Sequence, residues 1–226
     1  MRSFLVATAL AGSLLAGSLL AGDFQCEFTA GAWQAKDWVM VKSPRWPHRG
    51  EWEQEKDCLR NRTPKEATQK EMLGKRAGET YTSMLLKEPV SGNLKMAATV
   101  SFEHRMAPLI VLAPALDKDP QGYPEYREHW EIVLFDQGVN VWHHTYADGK
   151  PGWRKAAYAK FPLKPGQRYR LEVDIKRAGA GAQLTLRVGD HEFGYFDPVL
   201  PKTFQVGITG CEGVNRFYDF MVKPGK

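Results

Sequence analysis

The sequence predicts an all-β chain folded as a two-sheet antiparallel sandwich of the jelly-roll type. Three observations carry this. Many short runs alternate strictly between apolar and polar residues, turn residues separate them at regular intervals, and almost no 3.6-residue periodicity is present. A jelly roll accommodates that many strands in one domain. With no internal repeat, low-complexity tract or linker, the chain divides into a leader over 1–22 and one domain over 23–226.

The leader has a basic start at Arg2, an apolar stretch from Phe4 to Leu20 and small residues at Ala21-Gly22, the pattern of a cleaved export signal. No later segment is apolar enough to span a bilayer, and Cys26 lacks the small-residue tripeptide of lipoprotein processing. The expectation is a protein outside the cytoplasm, periplasmic or secreted, without stable membrane insertion. Of the 226 residues, 43% are hydrophobic and 25% charged, ordinary for a chain with a sizeable core. The net charge of +5 is modest and permits an acidic glycan or a phosphate-rich partner while demanding neither; the basic residues are scattered and no nucleic-acid motif is present, which argues against nucleic-acid binding. In an oxidising compartment Cys26, Cys58 and Cys211 leave open one disulfide with a free thiol, or three buried thiols.

The elements follow in order. Cys26–Phe28 and Trp38–Val41 are short apolar runs, followed by a Pro- and Trp-rich stretch, Ser43 to His48. Lys65 to Arg76 carries helix-forming residues after Pro64. Tyr81 to Leu86 is a strand. Leu94 to Met106 alternates, with Val100, Phe102 and His104 on one parity and Thr99, Ser101, Glu103 and Arg105 on the other. The continuous apolar run Leu109 to Ala113 reads as a strand covered on both faces. A loop from Pro114 to Pro124 leads to a hairpin over Tyr126 to Tyr146, turning at Asp136-Gln137-Gly138. Pro151-Gly152 and Lys164-Pro165-Gly166 mark turns. Leu171, Val173 and Ile175 pair inward with Leu184, Leu186 and Val188 across a tip at Ala178 to Gly181. Phe204 to Ile208 and Phe217 to Val222 complete the set.

The hairpin carries the chemistry. Trp130, Ile132 and Leu134 share one parity, assigned to the core, and Arg127, His129 and Glu131 share the other. On the return strand Asn140, Trp142 and His144 alternate with Val139, Val141 and His143, so of the two adjacent imidazoles His144 is the site candidate. A histidine can move protons near neutrality. Sugar rings stack on indoles, and Trp46, Trp52, Trp142 and Trp153 lie in polar or turn contexts where they can line a groove. The glycine-flanked turn Gly210-Cys211-Glu212-Gly213 reads as a tight connection. No His/Asp/Glu spacing supports a catalytic metal site, and no cofactor is required.

Several segments together resemble the concanavalin A-like lectin/glucanase superfamily: Glu79-Thr80-Tyr81 entering a strand, Leu94 to Phe102, Trp130 to Asp136, the pair Tyr169 to Val188, and Val206-Gly207-Ile208-Thr209-Gly210 before Phe217-Tyr218-Asp219-Phe220. Their order is similar to secreted bacterial domains of the keto-disaccharide hydrolase type and the YesU-like type. The resemblance implies a curved sandwich whose concave face holds an oligo- or polysaccharide, often with a structural calcium. Its members include glycoside hydrolases, polysaccharide lyases and lectins. The Glu-x-Asp-x-x-Glu trio of laminarinase-type members is absent, because Glu128-His129-Trp130-Glu131-Ile132-Val133 stands there.

Three readings follow. As a glycoside hydrolase, Glu131 and Glu103 form the carboxylate pair, for which adjacent strands about 4.8 Å apart supply suitable spacing. His129, His144, Asn140 and Arg105 then position the sugar or tune the acids. As a lyase on a uronic-acid glycan, Arg105, Arg127 and Asn140 neutralise the carboxylate while His129 or Tyr126 takes the proton. As a non-catalytic module the same face, with Trp142, simply binds glycan.

Overall fold

The computed structural model describes residues 23–45, 49–62 and 81–226. The leader, Trp46 and the short helix or ordered loop expected over Lys65 to Arg76 lie outside them. Among the described residues two eight-stranded antiparallel sheets face each other. The first runs His191–Asp197, Gly181–Val188, Tyr169–Ala178, Leu94–Phe102, Asn215–Pro224, Leu59–Asn61, Trp52–Gln54, with Phe24–Glu27 also paired to Asn215–Pro224. The second runs Lys150–Lys160, Gly138–Ala147, His129–Phe135, Met106–Ala113, Thr203–Gly210, Thr82–Leu86, Trp38–Val41, with Val90–Ser91 also paired to Thr203–Gly210.

Period-two patterning decides which faces meet. Leu94, Met96, Ala98, Val100 and Phe102 join Leu171, Val173, Ile175, Leu184, Leu186 and Val188 on the inner face of the first sheet. Ile110, Leu112, Trp130, Ile132, Leu134, Val139, Val141, Val206 and Ile208 cover the inner face of the second. Each such side chain, once fully buried, stabilises the fold by roughly 1.5–3 kcal/mol before entropy is counted. Trp130 is at the centre of this core, as its parity predicts. It stacks on His143 at 4.1 Å and donates its indole N–H to Asp197 Oδ2 at 2.9 Å.

The second sheet is apolar on its outer face too. Val41, Leu85, Leu109, Val111, Ala113, Tyr126 and Val133 form a smaller cluster there. That is why Leu109 to Ala113 reads as a continuous apolar run. The stretch expected as a plain loop from Pro114 to Pro124 helps cover this face. It contains a small hairpin, Leu116–Lys118 with Pro124–Tyr126, tied down by Lys42, whose Nζ lies 3.2 Å from both Asp119 and Glu125.

Two expectations are corrected. The alternation from Leu94 to Met106 is not one strand: it ends at Phe102, and residues 103–105 form the corner through which the chain changes sheets. Pro151-Gly152 is not a turn. The reversal occurs at Asp148-Gly149, both at positive φ, and Pro151 sits in Lys150–Lys160, an edge strand where a missing N–H is tolerated. The turn at Asp136-Gln137-Gly138 forms as expected. Gly138 has φ +129°, and a Cβ there would lie 2.0 Å from Ala159 O. Cys26, Cys58 and Cys211 form no disulfide among the described residues.

Replacing fully buried Ile132 by Ala is expected to cost about 2–5 kcal/mol in urea unfolding. Thr185→Ala, on the solvent face of the first sheet, is expected to stay within about 0.5 kcal/mol. Equal effects would contradict this division of faces.

Candidate functional site

Because strand side chains alternate, His129, Glu131 and Val133 face away from the inter-sheet core. Antiparallel register sets them beside His144, Trp142 and Asn140 respectively, and the edge strand adds Trp153, Lys155 and Tyr158 in the same rows. On the other flank Glu131 and Val133 adjoin Val111 and Leu109. A cleft of about 150 Å³ opens on this face. Arg45, Tyr81, Glu131, Trp142, His144 and Trp153 supply most of its polar and aromatic lining, with Cys211 and Glu212 at one side.

Glu131 is the hub. Its Oε1 accepts from the Tyr81 hydroxyl, in a short contact, and from His129 Nε2 at 3.2 Å; its Oε2 accepts from His144 Nε2 at 3.0 Å. Arg45 Nη1 lies 3.1 Å from His144 Nδ1. A guanidinium only donates, so Nδ1 must accept and the ring proton must sit on Nε2, directed at Glu131. In this tautomer His144 turns Nδ1 to the Arg45 guanidinium, and both residues line the cleft. His129 stacks on it at 4.6 Å with 8° between the planes, and Tyr126 stacks beneath His129 at 4.5 Å. The Tyr126 hydroxyl is held by Ser83 at 2.5 Å, and Ser83 meets Thr209 at 2.6 Å.

These contacts fix the protonation states. Burial alone would push the Glu131 carboxyl up, but the facing His144 and the hydrogen bonds from both histidines outweigh it and hold the group well below 4.5. Burial lowers His129 from 6.5, only partly offset by Glu131. Burial and the adjacent Glu131 carboxylate raise the Tyr81 hydroxyl well above 10. The site therefore holds the Glu131 carboxylate among three hydrogen-bond donors, with the Arg45 guanidinium in the cleft lining.

Not every predicted residue joins it. Glu103 does not: its side chain is on the corner after Phe102, exposed, with Oε1 2.6 Å from Arg216 Nη1 on the other sheet. Arg105 is exposed on the same corner, 3.8 Å from Asp136. Arg127 is taken up by Glu125 and by Asp117 at 3.1 Å, and lies over Tyr146. Tyr126 and His129 are buried behind the cleft wall instead of lining it. Trp52 packs edge-on against Phe217 in the first sheet. Asn140, Trp142, His144 and Trp153 share the face of Glu131. Tyr81, Arg45 and Glu212 were not singled out from sequence. Tyr81 looked like an ordinary strand opener, and Arg45 lies in an irregular Pro-rich stretch. The flagged turn at Gly210 to Gly213 was the one signal for Glu212, which adopts φ +53° there.

His129, Glu131 and His144 offer ligand atoms within 4.8 Å of one another. Nearly parallel rings cannot both aim an in-plane lone pair at one ion, and both Nε2 protons already point at the carboxylate, so this arrangement suits proton chemistry. It does not fit calcium, which takes six to eight oxygens. The acidic group Asp117, Asp119 and Glu125 is paired with Lys42 and Arg127.

No family model and no curated protein matches the chain. Solved structures do. A carbohydrate-binding module CBM66 from Bacillus subtilis matches at TM-score 0.54 and 13% identity, covering 83% of this chain and 95% of the module. The Lotus tetragonolobus seed lectin matches at 0.56 and 8%, covering 89% and 97%. The exoplasmic/lumenal domain of VIP36, in a Ca2+/Man3GlcNAc-bound form, matches at 0.53 and 9%, covering 90% and 88%. At such identities the likeness establishes the fold: a concanavalin A-like, lectin-type β-sandwich.

Acid sensitivity tests the network. The folded-state values of Glu131 and His129 both lie below their ordinary 4.5 and 6.5, so the unfolded chain binds the extra protons and stability falls with pH. Loss is expected to begin below pH 6.5 through His129 and to steepen below 4.5 through Glu131. Glu131→Gln is expected to lose about 1–3 kcal/mol at pH 7 and to show a shallower acid limb in melting curves from pH 8 to 3. Identical limbs in the two proteins would place the Glu131 carboxyl outside this network.

Proposed function

We propose that the cleft binds a residue of an acidic oligosaccharide and that the protein cleaves it by elimination, with His144 as the base. The observation that carries this reading is the chain Arg45–His144–Glu131 at the cleft wall. A substrate carboxylate drawn to Arg45 takes the guanidinium off Nδ1 and frees that lone pair beside the sugar. His144 then removes the proton from the carbon next to the carboxylate. The electron pair forms the carbon–carbon double bond, the glycosidic C–O bond breaks, and the imidazolium returns its proton to the departing oxygen. Glu131 holds the ring in one tautomer and stabilises its transient positive charge, much as a buried carboxylate does in other acid–base dyads.

The sugar class rests on two supports. Trp142 and Trp153 flank the polar groups, with Trp153 59% exposed and free to stack. The structural neighbours, moreover, include a carbohydrate-binding module and lectins. Kinship to keto-disaccharide hydrolase-like or YesU-like domains and an extracytoplasmic setting, from the leader, belong to the same proposal. Hydrolysis is a second reading, carried by Glu212 lining the same cleft as Glu131, which would supply the two carboxyls such chemistry needs.

A glycan panel separates these. Elimination yields an unsaturated uronate with new ultraviolet absorbance, hydrolysis yields reducing ends without it, and retention without cleavage identifies a binding module. His144→Gln is expected to lower kcat about 10²–10⁴-fold while leaving KM within a few-fold. Unchanged kcat in that variant would exclude His144 as the base.

A further inference from the structure

The cleft at Glu131 is small against the roughly 300–1,000 Å³ of pockets that enclose larger ligands, so a longer glycan must run out of it over the neighbouring strand face. One row beyond lie Asn140 and, opposite it on the edge strand, Tyr158. A register shift between Val141 and Trp142 brings Lys155 opposite Trp142. The Lys155 ammonium is consequently poised over two rings, 5.7 Å from Trp142 and 4.9 Å from Tyr158. Its side chain is exposed, and it makes no ion pair among the described residues. Asn140 is only 8% exposed, faces the same side as Val133, and its Oδ1 has no hydrogen-bond partner among the described residues. A buried carbonyl oxygen without a hydrogen-bond partner is costly, and none of the described residues supplies Asn140 Oδ1 with a donor.

We propose a second sugar subsite built by Asn140, Trp142, Lys155 and Tyr158, which takes the next residue of an acidic glycan. The ring lies against Trp142 and Tyr158, a sugar hydroxyl donates to Asn140 Oδ1, and Lys155 lifts from the aromatic faces to pair with the acidic group. This rests on the reading that the Glu131 cleft takes an acidic oligosaccharide, and it sets the minimum ligand at two residues.

Titration calorimetry with the monomer, dimer and trimer of galacturonate, mannuronate and glucuronate tests it. For the uronide series that binds, the dimer is expected to bind about tenfold or more tighter than the monomer. Lys155→Met is expected to abolish that gain, leave monomer affinity unchanged, and keep the melting temperature, since the side chain is exposed. Asn140→Leu is expected to cut dimer affinity while holding or raising the melting temperature, because it removes an unsatisfied group. A dimer gain that survives in both variants, or equal affinity for monomer and dimer, overturns the subsite alone. Uncharged galactose dimers that bind as tightly as uronide dimers overturn the role given to Lys155. Absence of binding to all nine uronides overturns the subsite and the acidic-glycan reading together.

Discussion

A single buried charge organises this face of the molecule. An ionised carboxylate taken out of water is expensive unless each lone pair finds a donor, the penalty being several kcal/mol even after relaxation. Glu131 sits in mid-strand on the outer face of a sheet; two of its donors, His129 and His144, come from its own hairpin, and the third, Tyr81, comes from fifty residues away. Serving that carboxylate fixes the tautomer of both imidazoles and holds their rings in a parallel stack with Tyr126. The apolar layer of Leu109, Val111 and Val133 around it lowers the local dielectric and strengthens every one of these contacts. Rigidity here is thus a consequence of charge burial, and it holds Tyr81, Glu131 and His144 in fixed positions at the cleft.

Alternation made much of this legible. A period of two correctly separated Trp130 from Glu131 and His143 from His144, because a strand allows no other distribution of neighbours. It placed Asn140 and Trp142 on the same face for the same reason. The rule failed at Glu103, where the apolar–polar pattern runs on through a corner. The pattern reports facing, not chain direction, so a strand that ends at Phe102 and a chain that changes sheets look the same as a longer strand. Arg105 and Arg127 misled differently. A basic residue near a candidate acid suggests a site, yet Asp136, Glu125 and Asp117 had already claimed them, and such pairings depend on tertiary proximity. Tyr81 and Arg45 reach the site only through sheet order and loop path, which leave no local trace in sequence.

The second sheet performs two tasks that usually conflict. Its inner face closes the sandwich core, and its outer face carries an open cleft while still burying the Glu131 network. The division falls along the strand order. Toward the centre, the outer face is sealed by aliphatic residues and by the hairpin that Lys42 secures. Toward the edge, the seal is replaced by indoles, Tyr158 and the lysine that lies across them. Polarity therefore rises from sheet centre to sheet edge, and the cleft lies at the boundary.

The arrangement of cations along that boundary bears on selectivity. Arg45 lies against His144 Nδ1, so under the proposed mechanism a neutral sugar would meet a base that is already engaged. Only a ligand that competes for the guanidinium frees the nitrogen, and an anion does this far better than a hydroxyl, since charge-assisted hydrogen bonds are roughly twice as strong as neutral ones. Lys155 repeats the device with π faces in place of an imidazole: the ammonium is held by ring quadrupoles, a weak hold of about 0.5–1 kcal/mol at an exposed site, and a carboxylate or sulfate displaces it readily. In both positions the ligand's own charge uncovers the group that would otherwise be masked. On the proposed acidic-glycan reading, discrimination between acidic and neutral glycans would follow from these resting contacts, with no movement of the sheet required.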